Sequence, residues 1–270
     1  MKFSDKVIVV TGGGSGMGRE LVLQLLARGA RVAAVDINGG SLAETATLAG
    51  DKAASLATLV LDITDRTAVE ELPDRIFAIF GSVDGLINNA GIIQPFVKVA
   101  DLDFPMIERV LNVNLYGTIY MTKTFLPHLL RRPEAHIANI SSMGGFIPFP
   151  GQVLYGASKA AVKLLTEGLA SELAGIGVKV TVVFPGAVVT NITANSGVTG
   201  LPGPPAAGEK APAMALSAVA AAKIILDGIE RDRARVLVGK DAKIMDFLSR
   251  LSPVAAGRLI QKQMSRLLDS

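Results

Sequence analysis

The 270-residue chain has no cysteine. Without a thiol it forms no disulfide, no thiolate nucleophile and no thiolate metal site. Histidine is almost as scarce: only His128 and His136 occur, with no carboxylate beside either at metal-ligand spacing, so no metal centre is expected. Charge of one sign is also lacking, because 27 Lys and Arg against 24 Asp and Glu leave +3 spread along the chain. That balance argues against a nucleic-acid surface. Long apolar runs are missing too. No segment reaches the ~20 apolar residues that span a bilayer, and the run inside "MKFSDKVIVVTGGG" is too short for a signal peptide. The expectation is a soluble, cytoplasmic protein.

What the chain has is hydrophobic content, 50% of residues with a mean hydropathy of +0.44. A parallel sheet buried on both faces needs that, since its strands read as continuous apolar runs. Such runs fall at 6–10, 31–36, 56–62, 83–88, 136–141, 178–184 and 235–239, with helical patterns near 16–28, 41–49, 66–80, 103–131, 153–174 and 215–231. Repeated β-α units with right-handed crossovers predict a three-layer α/β fold. The sheet would be doubly wound, parallel and of about seven strands, in one domain over 1–240. Ligands of such sheets bind at the carboxyl ends of the strands.

Two segments interrupt the alternation. Residues 191–212, "NITANSGVTGLPGPPAAGEKAP", follow a strand end on the ligand side and read as a mobile lid. The tail over 241–270 is amphipathic and basic, with apolar Ile244, Phe247, Leu248, Leu251, Leu259 and Ile260. Three docking sites stay open for it: its own domain, a neighbouring subunit or a membrane surface.

The run "VIVVTGGGSGMG" sets glycines between a strand and a helix that starts near Ser15 or Gly16. Gly12, Gly14, Ser15, Gly16, Met17 and Gly18 would let the backbone approach a pyrophosphate held at the helix N-terminus. The second strand ends at Asp36, 18 residues beyond Gly18, where a carboxylate accepts bonds from ribose hydroxyls and repels a 2′-phosphate. Ile37 and Asn38 follow it, so no cation adjoins it and NAD is preferred over NADP. Asp62 and Ile63, ending the third strand, would bracket the adenine. In "NNAG", Asn88 and Asn89 would fix neighbouring strands while Ala90 and Gly91 leave room for a ribose.

The motifs "TGGGSGMG", "NNAG", "NVNLYG", "ISSMGG", "YGASK" and "PGAVVT" occur in an order and spacing that resembles the short-chain dehydrogenase/reductase family over about residues 5–240. The resemblance implies a Rossmann-like sheet, a nicotinamide cofactor and a catalytic set that falls on Asn114, Ser142, Tyr155 and Lys159. Ser142 rather than Ser141 lies at the family's spacing before the tyrosine, and neighbouring strand residues face opposite ways. Physically, Tyr155 would pass a proton to or from the substrate oxygen. Lys159, one helical turn on, would lower its pKa by about 3 units and reach the nicotinamide ribose. Ser142 would polarise the substrate oxygen, and Asn114 would hold a water that links Lys159 to solvent. Pro185 and Gly186 would turn the chain beside the nicotinamide, with Val188 and Thr190 holding its carboxamide.

The expected substrate is a small, neutral or apolar secondary alcohol or ketone. Its pocket would be lined by Phe96, Phe146, Phe149, Pro150, Gln94 and Gln152, with the cations Lys98 and Lys210 counting against a strictly apolar site. The alternative is a catalytically silent NAD-binding regulator of the same fold. The resemblance also implies a homo-oligomer, tetramer or dimer, joined through the helices at 103–131 and 153–174.

Overall fold

In the computed structural model, which describes residues 1–198 and 215–268, the apolar runs form the strands the pattern predicts. In chain order the elements begin β1 (Val7–Thr11), α1 (Gly16–Ala27), β2 (Arg31–Asp36), α2 (Gly39–Ala49), β3 (Leu56–Val60), α3 (Arg66–Phe80) and β4 (Gly85–Asn88). Then come α4 (Phe104–Leu111), a π-helical turn (Asn112–Gly117), α5 (Thr118–Leu129), β5 (Ala135–Ile140), α6 (Val153–Glu172) and β6 (Val178–Pro185). The chain continues through β7 (Val188–Val189), α7 (Ile192–Asn195), β8 (Leu216–Ser217), α8 (Ala218–Glu230), β9 (Arg235–Val238), α9 (Lys240–Leu251) and α10 (Pro253–Leu268).

Seven strands pair in the order β3-β2-β1-β4-β5-β6-β9, every pair parallel. The order runs outward from β1 to β3 and then restarts on the other side of β1 with β4. That reversal is the switch point where an open sheet leaves a crevice at its carboxyl edge. Alternation along β1 divides the core. Val7 and Val9 face α3 and α5 through Val69, Leu72, Ile76 and Phe125, whereas Ile8 and Val10 face α1 and α8 through Leu21, Leu25, Ile225 and Leu226. Side-chain caps start several helices: Asn38, Asp65, Asp103 and Ser217 each accept a bond from a backbone amide three residues on.

One expected helix is not continuous. The pattern at 103–131 reads as a single helix, but Asn112–Gly117 widens into a π turn between α4 and α5. Within this turn the Thr118 hydroxyl donates to the Asn114 carbonyl at 2.9 Å, while the Asn114 side chain bonds the Ile92 backbone outside the helix. Such wide turns often mark functional positions.

A buried polar ladder ties the two central helices to the sheet. Asn88 and Asn139 are register partners on β4 and β5. Asn88 Nδ2 donates to Asn139 Oδ1 at 2.8 Å and to Thr122 Oγ1 of α5 at 3.0 Å, and Asn139 Nδ2 donates to Thr166 Oγ1 of α6 at 3.0 Å. Asn88 therefore joins neighbouring strands as expected, and Asn89 anchors the end of β1 through Thr11.

The tail packs on its own domain. Met245 of α9 and Ala256 and Ile260 of α10 form a small buried cluster with Ile147, against which Phe146, Phe149 and Leu248 pack. Among the described residues no helix is long and apolar enough to cross a membrane. Of the lid expected at 191–212, residues 191–198 are described and 199–212, with Lys210, lie outside the described residues.

Replacing Asn139 by Ala would strand the Asn88 and Thr166 polar groups in the core. The expected cost is about 2–3 kcal/mol, read from urea denaturation midpoints with an unchanged slope.

Candidate active site

The crevice at the switch point holds a cavity of about 560 Å³. Gly12, Ser15, Gly16, Met17 and Gly18 line it together with Asp36, Ile37, Asp62 and Ile63 and with Asn89, Ala90, Gly91 and Thr190. Most of the residues predicted to contact a cofactor thus share one cavity, whereas Asn114, Ser142, Tyr155 and Lys159 do not line it. Gly14, Pro185, Gly186 and Val188 are not on this wall. Gly14 lies behind it, giving its amide to Asp36 Oδ2 at 2.9 Å, and Val188 pairs with Leu216 and packs against the core.

Close packing explains the glycines. A Cβ on Gly18 would collide with the Gly12 carbonyl oxygen, and Gly12 itself has φ +68° with Asn89 and Ala90 pressed against it. Ser15 caps α1 with no side-chain bond to the helix, so the first-turn amides stay available to an anion. Asp36 is held on both sides, since Oδ1 accepts the Asn38 amide at 3.0 Å. Arg19 is turned away from the wall, bonded to the Gly14 carbonyl at 2.6 Å and to Glu44 at 2.6 Å. Among the described lining residues the one cation is Arg109, bonded to the Ser196 carbonyl at 3.2 Å.

The start of the predicted lid rests on this cavity. Asn195 Nδ2 donates to Ser15 Oγ at 2.7 Å, and the buried Ser196 hydroxyl accepts the Ile93 amide at 3.0 Å.

Tyr155 and Lys159 project from the first turns of α6, and Ser142 follows β5. Lys159 is 4% exposed, and its Nζ donates to the Ile140 carbonyl at 3.0 Å and lies 6.0 Å from the Tyr155 ring centroid. The two adjacent serines divide as alternation requires. Ser141 donates to the Lys159 carbonyl at 2.7 Å, whereas Ser142 hydrogen-bonds toward the Tyr155 phenol and accepts the Gly144 amide at 3.0 Å.

Asn114 clamps rather than dangles. Its Oδ1 accepts the Ile92 amide at 2.8 Å, and its Nδ2 donates to the Ile92 carbonyl at 2.9 Å and to Ser158 Oγ at 3.0 Å. A Cβ on Gly91 would lie 3.1 Å from both Asn114 Oδ1 and Lys159 Nζ, so the absent side chain leaves those two groups facing one small space.

One electrostatic expectation is overturned. Lys159 was expected to lower the Tyr155 pKa, but burial pushes the phenol up, with the Ser142 hydrogen bond pulling the other way. Burial also lowers the Lys159 amine to about 8. The reason is geometric: the amine binds the Ile140 carbonyl rather than the phenol oxygen, and removal from water dominates both groups.

A second cavity of about 720 Å³ adjoins the site. Gly144 forms part of its wall, and a Cβ there would lie 3.5 Å from both Ser142 Oγ and Tyr155 Cε1. Phe146, Phe149, Pro150 and Gln152 line it as expected, with Lys98 the one cation among the described lining residues and Gly257 and Gln261 of α10 on the same wall. Gln94 and Phe96 do not line it. Gln94 is fully buried, and its Oε1 accepts the Leu154 and Tyr155 amides at 2.8 and 3.0 Å. It caps α6 from 60 residues away. Phe96 packs on Gly151, whose φ is +79°.

Asp241 was missed altogether. Its Oδ2 accepts the Ala187 amide at 2.6 Å, and its carboxylate fills the space that a Cβ on Gly186 or Gly239 would need. The "GxD" at 239–241, just after a strand, was the available signal.

A family model described as short chain dehydrogenase matches residues 6–199. SadH of Mycobacterium tuberculosis, an oxidoreductase by name, is 39% identical over 269 residues, covering 96% of this chain and 95% of its own. A short chain dehydrogenase/reductase from Burkholderia phymatum, solved in complex with NAD, has a TM-score of 0.79 at 28% identity, with 88% of this chain and 90% of that one covered. ElxO with NADP bound has a TM-score of 0.75 at 27% identity, with 87% and 97% covered.

The lowered amine makes a sign-definite prediction. Between about pH 8 and 10 the unfolded chain keeps the Lys159 proton longer than the folded one, so the parent gains stability as pH rises. A Lys159→Met variant has no such group, and its stability relative to the parent should fall by about 2 kcal/mol from pH 7 to pH 10, measured by urea denaturation at each pH.

Proposed function

The chain belongs to the short chain dehydrogenase family, and on that premise we propose that it is an NAD-dependent oxidoreductase that interconverts a secondary alcohol and a ketone. The observation that carries this reading is the meeting of Ser142, Tyr155 and the buried Lys159 beside Gly91, a glycine that also lines the cleft at the α1 N-terminus.

A nicotinamide dinucleotide fits the residues present. The α1 amides and the glycine loop would hold its pyrophosphate, Asp36 its adenosine ribose, Asn89 to Gly91 and Lys159 its nicotinamide ribose, and Thr190 its carboxamide. When bound it supplies or accepts the hydride. Asp36 faces the cleft with no cation next to it, which favours NAD over a 2′-phosphorylated nucleotide.

The protein's own part is proton handling. Ser142 donates to the substrate oxygen and stabilises the charge that grows there. Tyr155, whose pKa is raised by burial, keeps its proton at neutral pH and delivers it to that oxygen, so the resting site suits ketone reduction. Lys159, at about 8, is close enough to neutrality to exchange protons and return one to the phenol. Asn114 Oδ1 keeps one acceptor site beside Gly91 and Lys159, which supports the proposed water relay. The substrate would lie in the 720 Å³ cavity, whose Phe146, Phe149 and Pro150 suit a neutral or apolar body. Exposed Phe104 of α4, Tyr116 of the π turn and Leu164 of α6 support a homo-oligomer formed through this face.

Screening secondary alcohols and ketones of graded size, while following NADH absorbance, tests the reaction class. Absence of turnover across the panel with retained NAD binding would instead indicate a silent binder. In Tyr155→Phe, kcat should fall by about a thousandfold while NADH binding, read by fluorescence, stays within about twofold. Asp36→Asn removes the charge but keeps an acceptor, and should shift the NAD over NADP preference toward NADP by about tenfold to a hundredfold in kcat/KM.

A further inference from the structure

The tail helices bury one face and leave the other unexplained. Along α9 the inward positions are Ala242, Met245 and Asp246. The outward positions are Lys240, Lys243, Ile244, Phe247, Arg250 and Leu251, a helical stripe of three cations and three apolar residues. Ile244, Phe247 and Leu251 are 52%, 61% and 68% exposed, and Val254 at the start of α10 is 66% exposed. Solvated faces seldom carry large apolar side chains this densely. Arg258 and Leu259 continue the pattern on α10.

The sign of the charge identifies the partner. Both acids of this region are turned inward: Asp241 holds the Ala187 amide, and Asp246 binds Arg235 and Arg250. No described Asp or Glu between 240 and 262 is exposed, and Lys240, Lys243 and Arg258 make no ion pair with a described residue. A second copy related by a two-fold axis would bring this positive face against itself. An anionic lipid surface meets both features, taking the apolar side chains into the acyl boundary and the cations at its headgroups.

We propose that the outward face of α9 and the first turns of α10 docks the protein onto an anionic phospholipid surface. The inference stands apart from the redox reading, because no residue of the stripe lies in either cavity. The same helix α10 lends Gly257 and Gln261 to the apolar 720 Å³ cavity, so the contact surface and that cavity share one helix.

The test is co-sedimentation of the full chain with vesicles of phosphatidylcholine alone or mixed equally with phosphatidylglycerol. The mixed vesicles should pellet the protein, and raising salt from about 0.1 M to about 0.5 M should release most of it. Two double variants probe the face separately, Phe247→Ser with Leu251→Ser and Lys243→Glu with Arg258→Glu. Each should lower the bound fraction about tenfold, with thermal melting and sedimentation velocity unchanged. If one variant melts early, the other carries the test. Failure of the parent to bind mixed vesicles, equal binding to neutral ones, or conversion of an oligomer to monomers by either variant would overturn the proposal, the last outcome assigning the face to a second copy.

Discussion

An amine buried to 4% exposure must find its partners inside the protein, and Lys159 finds one in the Ile140 carbonyl, 3.0 Å away at the end of β5. The next residue, Ser141, returns a bond to the Lys159 carbonyl, so strand end and helix are locked from both sides. The neighbouring Ser158 accepts from Asn114, which in turn grips the backbone of Ile92. Four segments far apart in the chain are held by one short series of bonds around one lysine. Taking that amine out of water costs stability, as its lowered pKa records, and a net stability of about 5–15 kcal/mol leaves limited room for such costs. The two large apolar layers on either face of the sheet supply the compensation.

Orientation of the phenol depends on a second set of contacts. Gln152, at the N-cap of α6, makes no capping bond because its amide reaches to the Gln94 carbonyl at 2.8 Å. Gln94 replaces it, accepting the Leu154 and Tyr155 amides together. The backbone of Tyr155 is therefore fixed by a side chain from the loop after β4, while Asn139 and Thr166 fix the same helix further along. Misplacement by 1 Å is costly in catalysis, and α6 is braced at both ends of its inner face against it.

The strands were legible because both their faces are buried: a continuous apolar run needs no tertiary knowledge to be read, and all seven fall within two residues of the expected ends. The glycine loop and Asp36 were legible for a similar reason, since their chemistry depends on position relative to a strand end. What was not legible depends on where a side chain turns after it leaves the backbone. Gln94 looked like a neutral pocket wall, and only the fold shows that it faces a helix end. The π turn at Asn112–Gly117 hides in a continuous amphipathic pattern, because one extra residue in a turn barely alters the apolar spacing. The sign of the Tyr155 shift was misread for a related reason: spacing of four residues puts Lys159 on the right face, but not its amine on the phenol oxygen.

The tail shows why composition alone undervalued the last thirty residues. As a sequence it is an amphipathic, basic appendage, yet Asp241 reaches from the start of α9 to the Ala187 amide, and Gly186 must lack a side chain for the carboxylate to fit. The turn that follows β6 is thus held from α9. Further on, Met245, Ala256 and Ile260 pack against Ile147, while Phe146 and Phe149 join the same cluster and also line the 720 Å³ cavity. Shape of the cavity and seating of the tail are consequently one packing problem. A substitution that moves α10 by a fraction of its diameter must also move the aromatic wall, because close-packed side chains shift together rather than deform one by one.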